Sequence, residues 1–150
     1  MASPTSRTIA YLTRRGWRAG VVERYVSFCH RRYDLYGFID IVAIHPETRR
    51  IVGVQATGST HGNIQQHYRK IVDERSQEAL DWLAVGGEIE LWGWKKKYVV
   101  GKGEKTKAVR RRAVYVPIVV TITKADFRKV RTGVAKRLKD RTIGRKVWRA

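Results

Sequence analysis

Asp40 stands in Phe38-Ile39-Asp40-Ile41-Val42-Ala43-Ile44, a run that is otherwise wholly apolar. An isolated carboxylate in such a setting is costly unless something compensates it. The next apolar run, Ile51 to Thr57, carries an amide, Gln55. Between the two lies Pro46-Glu47-Thr48-Arg49, with the composition of a turn. A turn that sets His45 opposite Arg50 pairs Ile44 with Ile51, Ala43 with Val52, Val42 with Gly53 and Ile41 with Val54. Asp40 then faces Gln55 across the hairpin, on one face and at the end far from the turn. A carboxylate and an amide oxygen so placed are hard ligands of the kind Mg²⁺ or Mn²⁺ accepts. A hydrogen bond from Gln55 that simply satisfies Asp40 explains the same pair.

Other chemical patterns fail on inspection. Gly101-Lys102-Gly103-Glu104-Lys105-Thr106 does not satisfy the GxxxxGK[ST] phosphate loop, and no apolar strand-then-helix frames it. Cys29 is the single cysteine, so an intrachain disulfide and a cysteine zinc cage are both excluded. His61 and His67 are six apart, which is not the spacing of a shared helical metal face. Ser59, Thr60, His61 and Asn63 could bind phosphate at a helix N-terminus or form an ordinary capped turn.

Charge is unevenly spread. Thirty-two Lys and Arg against thirteen Asp and Glu give +19. Residues 1–94 hold twelve basic and ten acidic side chains, a net of +2, whereas 95–150 hold twenty and three, a net of +17. Clustered cations of this density attract phosphate backbones through counterion release. Lys95, Lys96, Lys97, Lys102, Lys105, Lys107, Arg110, Arg111 and Arg112 are the expected contacts, with Arg31 and Arg32 from the body. Trp92, Trp94, Tyr98, Tyr115 and Trp148 are interleaved as stacking surfaces. At 43% hydrophobic residues the chain can build a core, which excludes a disordered polycation. No uncharged apolar run approaches the ~20 residues of a membrane span. The expectation is a soluble, cytoplasmic protein.

These residues need a scaffold, and the sequence proposes one. Residues 5–15 read as a helix stopped by Gly16. Trp17 to Phe28 reads as a strand with Gly20 as a bulge, broken by the polar stretch His30 to Asp34. Phe38 to Ile44 reads as a central strand buried on both faces, and Ile51 to Thr57 as the next strand. Ile64, Tyr68 and Ile71, then Ala79, Leu80 and Leu83, have helical spacing with a break near Ser76. Gly86-Gly87 ends that element and Glu88 to Trp92 resumes strand alternation. Tight turns make the first three strands antiparallel; the helical crossover sets the fourth parallel to the third. A hairpin around Gly101-Lys102-Gly103, a strand from Ala113 to Thr123 and a helix from Lys124 follow. The expected division is a core over 1–94 and a basic extension over 95–150 packed on it, one domain in all.

The order α-β-β-β-α-β, with Gly37-Phe38-Ile39-Asp40-Ile41-Val42-Ala43 and Val54-Gln55-Ala56-Thr57 on adjacent strands, resembles the PD-(D/E)xK nucleases. It is similar to their Holliday-junction-resolvase-like and restriction-endonuclease-like branches. The resemblance covers residues 5–94. It implies an α/β, restriction-endonuclease-like αβββαβ core with a mixed sheet, followed here by the basic C-terminal strand and helix. It also implies a Mg²⁺- or Mn²⁺-dependent DNA endonuclease, acting on duplex or branched DNA as a homodimer. On the motif, Asp40 matches the family aspartate and Gln55 stands where an acid is usual. Thr57 stands where the family has its water-orienting lysine, a role that Lys70 on the following helix would take unless it is an ordinary exposed helical lysine. Residues 5–15 lack the family's first-helix glutamate; Glu23 on the first strand would point into the same cleft or lie on the strand's surface. Asp34, in the segment leading to Asp40, would be a second metal ligand or an ion-pair partner of Arg31 or Arg32. The alternative is a DNA- or RNA-binding protein that keeps the fold without cleaving.

Overall fold

Ser3 accepts a hydrogen bond from the Ser6 N–H at 3.1 Å, and Pro4 occupies the first helical position, so α1 spans Pro4–Thr13. Gly16, at φ 82°, reverses the chain into β1, Arg18–Val21. The computed structural model describes residues 2–58, 61–102 and 109–131. Beyond β1 it contains β2 (Arg24–Val26), β3 (Arg31–Tyr33), β4 (Ile41–His45) and β5 (Arg50–Gly58). Then come α2 (His61–Arg69), a π-helical turn (Lys70–Glu74), α3 (Ser76–Ala84), β6 (Glu88–Lys102), β7 (Val109–Ile122) and α4 (Lys124–Arg131).

The protein is mixed α/β. Five strands form a mixed sheet in the order β1-β4-β5-β6-β7. β4 is antiparallel to both β1 and β5; β6 is parallel to β5 and antiparallel to β7. The β4–β5 register is the expected one, from His45 opposite Arg50 to Ile41 opposite Val54. Arg49, at φ 53°, closes that turn. One sheet face packs Leu12 of α1 against Ile41, Ala43, Val52, Val54, Trp92 and Trp94. The other buries Phe38, Ile39, Ile71, Val72, Ala79, Ile89, Ile122 and Phe127. The two cores sandwich the sheet, which is why β5 is buried on both faces from Val52 to Gln55.

Several expectations are corrected. Trp17 to Phe28 is not one strand: β1 stops at Val21, where the Val22 N–H turns to the Asp40 carbonyl at 2.9 Å. Gly20 is no bulge, since it pairs in register with Val42. The polar stretch after His30 is itself a strand, because β3 pairs with β2 in a separate two-stranded sheet. Phe38 and Ile39 are fully buried, yet they precede β4 in a turn closed by the Leu35–Ile39 bridge. Ile44 is 42% exposed, so β4 is not covered on both faces at its turn end. β6 runs unbroken from Glu88 to Lys102, through the point where the basic region begins. The residues joining it to β7 lie outside the described ones.

Candidate functional site

Asp40 sits one residue before β4, and both its backbone groups are tied. Its N–H donates to Val54 O at 2.9 Å, and its carbonyl accepts from Val22 N–H at 2.9 Å. This fixes the carboxylate at the seam where β1, β4 and β5 meet. On β5, Gln55 Nε2 donates to Asp40 Oδ2 at 2.6 Å, and the Ala56 N–H donates to the same oxygen at 2.9 Å. Glu23, in the link from β1 to β2, and Asp34, just after β3, bring their oxygens to the same place. Carboxylate oxygens of Glu23, Asp34 and Asp40 all lie within 4.8 Å of one another. Lys70, the first residue of the π-turn, donates Nζ to Asp34 Oδ2 at 2.6 Å. Arg32 reaches back along β3 to Glu23 Oε1, also at 2.6 Å.

Asp40 and Gln55 are buried, at 5% and 3% exposure. Burial pushes the Asp40 carboxyl up to about 7. The Ala56 N–H opposes that rise, while the neighbouring carboxyls of Asp34 and Glu23 add to it. Gln55 Oε1 is buried and accepts no hydrogen bond among the described residues. An amide oxygen left so is rare and calls for a reason. Three carboxylates gathered within 4.8 Å form a donor set that suits a hard divalent cation, and Gln55 meets that set through its amide nitrogen rather than its oxygen. The residues present therefore fit Mg²⁺ or Mn²⁺.

The structure brings together Asp40, Gln55, Asp34, Glu23 and Lys70, with Arg32 at the edge. Of the two expected partners for Asp34, neither Arg31 nor Arg32 pairs with it; Lys70 does, and Arg32 goes to Glu23. Thr57 is buried on the same face of β5 as Gln55, two residues on. Sequence reasoning passed over His67. Its Nδ1 is buried with no hydrogen-bond partner among the described residues, and burial, then Lys70, push its pKa down against the pull of Asp34. The signal was available, since His67 and Lys70 share a helical face at i, i+3.

Beyond Gly58, β5 ends opposite Trp94, and β6 and β7 continue as a two-stranded ribbon. Lys95, Lys96 and Lys97 on β6, and Arg111 and Arg112 on β7, are exposed there. Strand alternation places Lys95 and Lys97, with Arg112 opposite Val99, on the sheet face that carries Gln55. Lys96 and Arg111 take the other face, with Tyr98. Lys105, Lys107, Trp148, Ser59 and Thr60, and the side chains of Lys102 and Arg110, lie outside the described residues. Trp92 and Trp94 are not stacking surfaces: they are 1% and 7% exposed and belong to the α1 core. Tyr115 is covered by Arg7, 3.5 Å above its ring, whereas Tyr98 is 63% exposed.

A separate cavity of about 560 Å³ opens on the α1 face, lined by Tyr11, Trp17, Arg50, Glu90 and Trp92 among others. Burial pushes Glu90 up, and the Trp92 indole N–H holds it at 2.8 Å. Arg50, turned to Glu88 by two hydrogen bonds, joins Arg14 and Arg15 as a cation of that wall. The acidic cluster lies on the other side of the sheet, and among the described residues it alone gathers three acidic side chains suited to a cation. No family model, curated protein or solved structure matches this chain. Among the described residues, no helix is long and apolar enough to cross a membrane.

Proposed function

We propose that this chain is a metal-dependent DNA endonuclease built on a restriction-endonuclease-like core. One observation carries the reading. Glu23, Asp34 and Asp40, from three separate segments, converge within 4.8 Å. The strand directions support it: two antiparallel pairings, then a helical crossover to a parallel strand.

Asp40, Asp34 and Glu23 would hold Mg²⁺ or Mn²⁺. Such an ion supplies an acidified water and neutralises charge developing on the phosphoryl oxygens. Gln55 Nε2 and the Ala56 N–H fix the Asp40 rotamer, so both carboxylate oxygens keep defined directions. Lys70, anchored on Asp34, stands where its ammonium can orient the attacking water, the role that Thr57 cannot fill. The cations on the Gln55 face of the β6–β7 ribbon would hold the DNA backbone. Cutting both strands requires two such sites, which a homodimer supplies.

A second reading, binding without cleavage, is favoured by Thr57 and by the engagement of Lys70 in an ion pair. The test is cleavage of supercoiled and branched DNA in Mn²⁺ by wild type and by Asp40→Asn. The nuclease reading expects cutting by wild type and a loss of at least about 100-fold in the variant, with DNA affinity kept. Full activity in Asp40→Asn removes this site from the chemistry. Tight binding with no cutting by wild type establishes the second reading.

A further inference from the structure

Between Glu23 and Asp34 the chain leaves the main sheet, runs out along β2, turns through Ser27–Cys29 and returns along β3. Both ends of this excursion are carboxylates of the acidic cluster. At its far end Phe28 is 96% exposed, the most exposed large apolar side chain among the described residues. The tip is braced rather than loose. His30 turns at φ 49°, and its N–H donates to Ser27 O at 3.4 Å. Its ring meets the Tyr25 hydroxyl at 3.0 Å, and Cys29 Sγ lies 3.7 Å from the Tyr33 hydroxyl. Arg24, Arg31 and Arg32 line the two strands, and no acidic residue occurs between Glu23 and Asp34.

We propose that this hairpin probes base stacking: its arginines engage phosphates while Phe28 inserts between base pairs at a weakly stacked step. The preferred substrate is then a duplex interrupted by a bulge or mismatch. The identity of the partner as DNA rests on the nuclease reading; the wedge itself rests on the hairpin. An apolar side chain held alone on a rigid, cationic arm is the arrangement that kinks a duplex by partial unstacking. Unstacking is easiest where pairing is already broken, and that is the source of the preference. A polyanion suits Arg24 and Arg31, which pair with no acid among the described residues, while Arg32 is held by Glu23 at the base of the hairpin. A second copy of this chain suits them less, because it would set these cations against their own kind, and Phe28 with the half-exposed Tyr25 and Tyr33 must supply most of the roughly 800 Å² that a stable interface needs from each partner. At ~3.3 Å per residue, the four or five residues from tip to base reach about 15 Å. That is about four base steps of ~3.4 Å, so cutting should fall within about five nucleotides of the unstacked step.

The test is binding with EDTA present, comparing a paired duplex with the same duplex carrying one bulged nucleotide beside 2-aminopurine. Wild type and Phe28→Trp should favour the bulged duplex by on the order of 10-fold, with a rise in aminopurine fluorescence. Phe28→Ala should lose both effects while binding the paired duplex within about twofold of wild type. An unchanged preference in Phe28→Ala, or none in wild type, overturns the wedge. So does sedimentation showing that Phe28→Ala turns a dimer into a monomer, which assigns the ring to a second copy. Mn²⁺ cleavage of the paired duplex, run in parallel, separates the two proposals. Cutting without a Phe28-dependent preference overturns the wedge alone, and the preference without cutting overturns the nuclease alone. Binding to neither duplex overturns both.

Discussion

Asp40 combines a buried carboxylate with two neighbouring acids, and this sets a pH dependence whose sign is fixed. Its pKa rises from an ordinary 3.8 to about 7, chiefly through burial. The folded state therefore holds its proton more tightly than the unfolded chain, and stability falls as pH rises from about 4 towards 7. In metal-free protein, Asp40→Asn should melt at the same temperature as wild type near pH 4. Its advantage should grow up to pH 7 and level off above it, because the amide oxygen still accepts from Gln55 and Ala56. A scanning-calorimetry series in EDTA that shows no growing gap refutes the buried-carboxylate account. Lys70→Ala carries the second prediction at this scale. It should lower turnover by about 100-fold or more with DNA affinity nearly unchanged, as for a positioned proton-handling group. A loss confined to affinity makes Lys70 a phosphate contact. Asp40 and Gln55 were legible from sequence because two polar residues interrupt apolar runs on either side of a countable turn. Glu23, Asp34 and Lys70 came only from the family resemblance and from chain order. The unsatisfied oxygen of Gln55 had no signal at all, since it depends on what the fold leaves beside it.

At the scale of elements, the turn between Asp34 and Asp40 sets the distance between two carboxylates. Gly37 closes it at φ 77°, donating its N–H to Asp34 O at 3.0 Å. A Cβ there would lie 2.5 Å from Arg75 Nε. Gly37→Ala combines left-handed strain of roughly 1–2 kcal/mol with that clash. It should lower stability by about 2 kcal/mol in urea unfolding and weaken Mn²⁺ binding as well. A variant that loses stability but binds Mn²⁺ as wild type does would show that the turn does not set the cluster. The elements that sequence missed have physical reasons in common. β2 and β3 are three residues long and exposed on nearly every side chain, so no alternation marks them. The π-turn at Lys70 adds one residue to a helix without changing its apolar pattern, and such bulges gather at functional sites. Trp92 and Trp94 looked like stacking rings because cations follow them, but β6 is still inside the sheet at those positions and only its continuation is free.

For the whole molecule, part of the excess charge is carried from the sheet by one pair of strands: residues 95–122 hold nine basic side chains and one acidic one. Residues 95–150 hold +17 of the +19, and the ribbon leaves the sheet where β5 ends. Alternation then sorts its cations by face. Lys95, Lys97 and Arg112 share the face of Gln55, and Lys96 and Arg111 take the reverse. DNA cut at the acidic cluster must lie along the first face. Each phosphate contact contributes about −0.9 to the slope of log K against log salt on duplex DNA. Neutralising Lys95, Lys97 and Arg112 together should thus flatten that slope by roughly 2.7, to the same extent for every duplex sequence. Neutralising Lys96 and Arg111 should leave it nearly unchanged. The comparison is read from fluorescence-anisotropy titrations at several salt concentrations with Ca²⁺ in place of Mn²⁺. The opposite result, a slope set by Lys96 and Arg111, would put the DNA on the α1 side of the sheet. The acidic cluster would then be out of its reach, and the nuclease reading would lose its substrate.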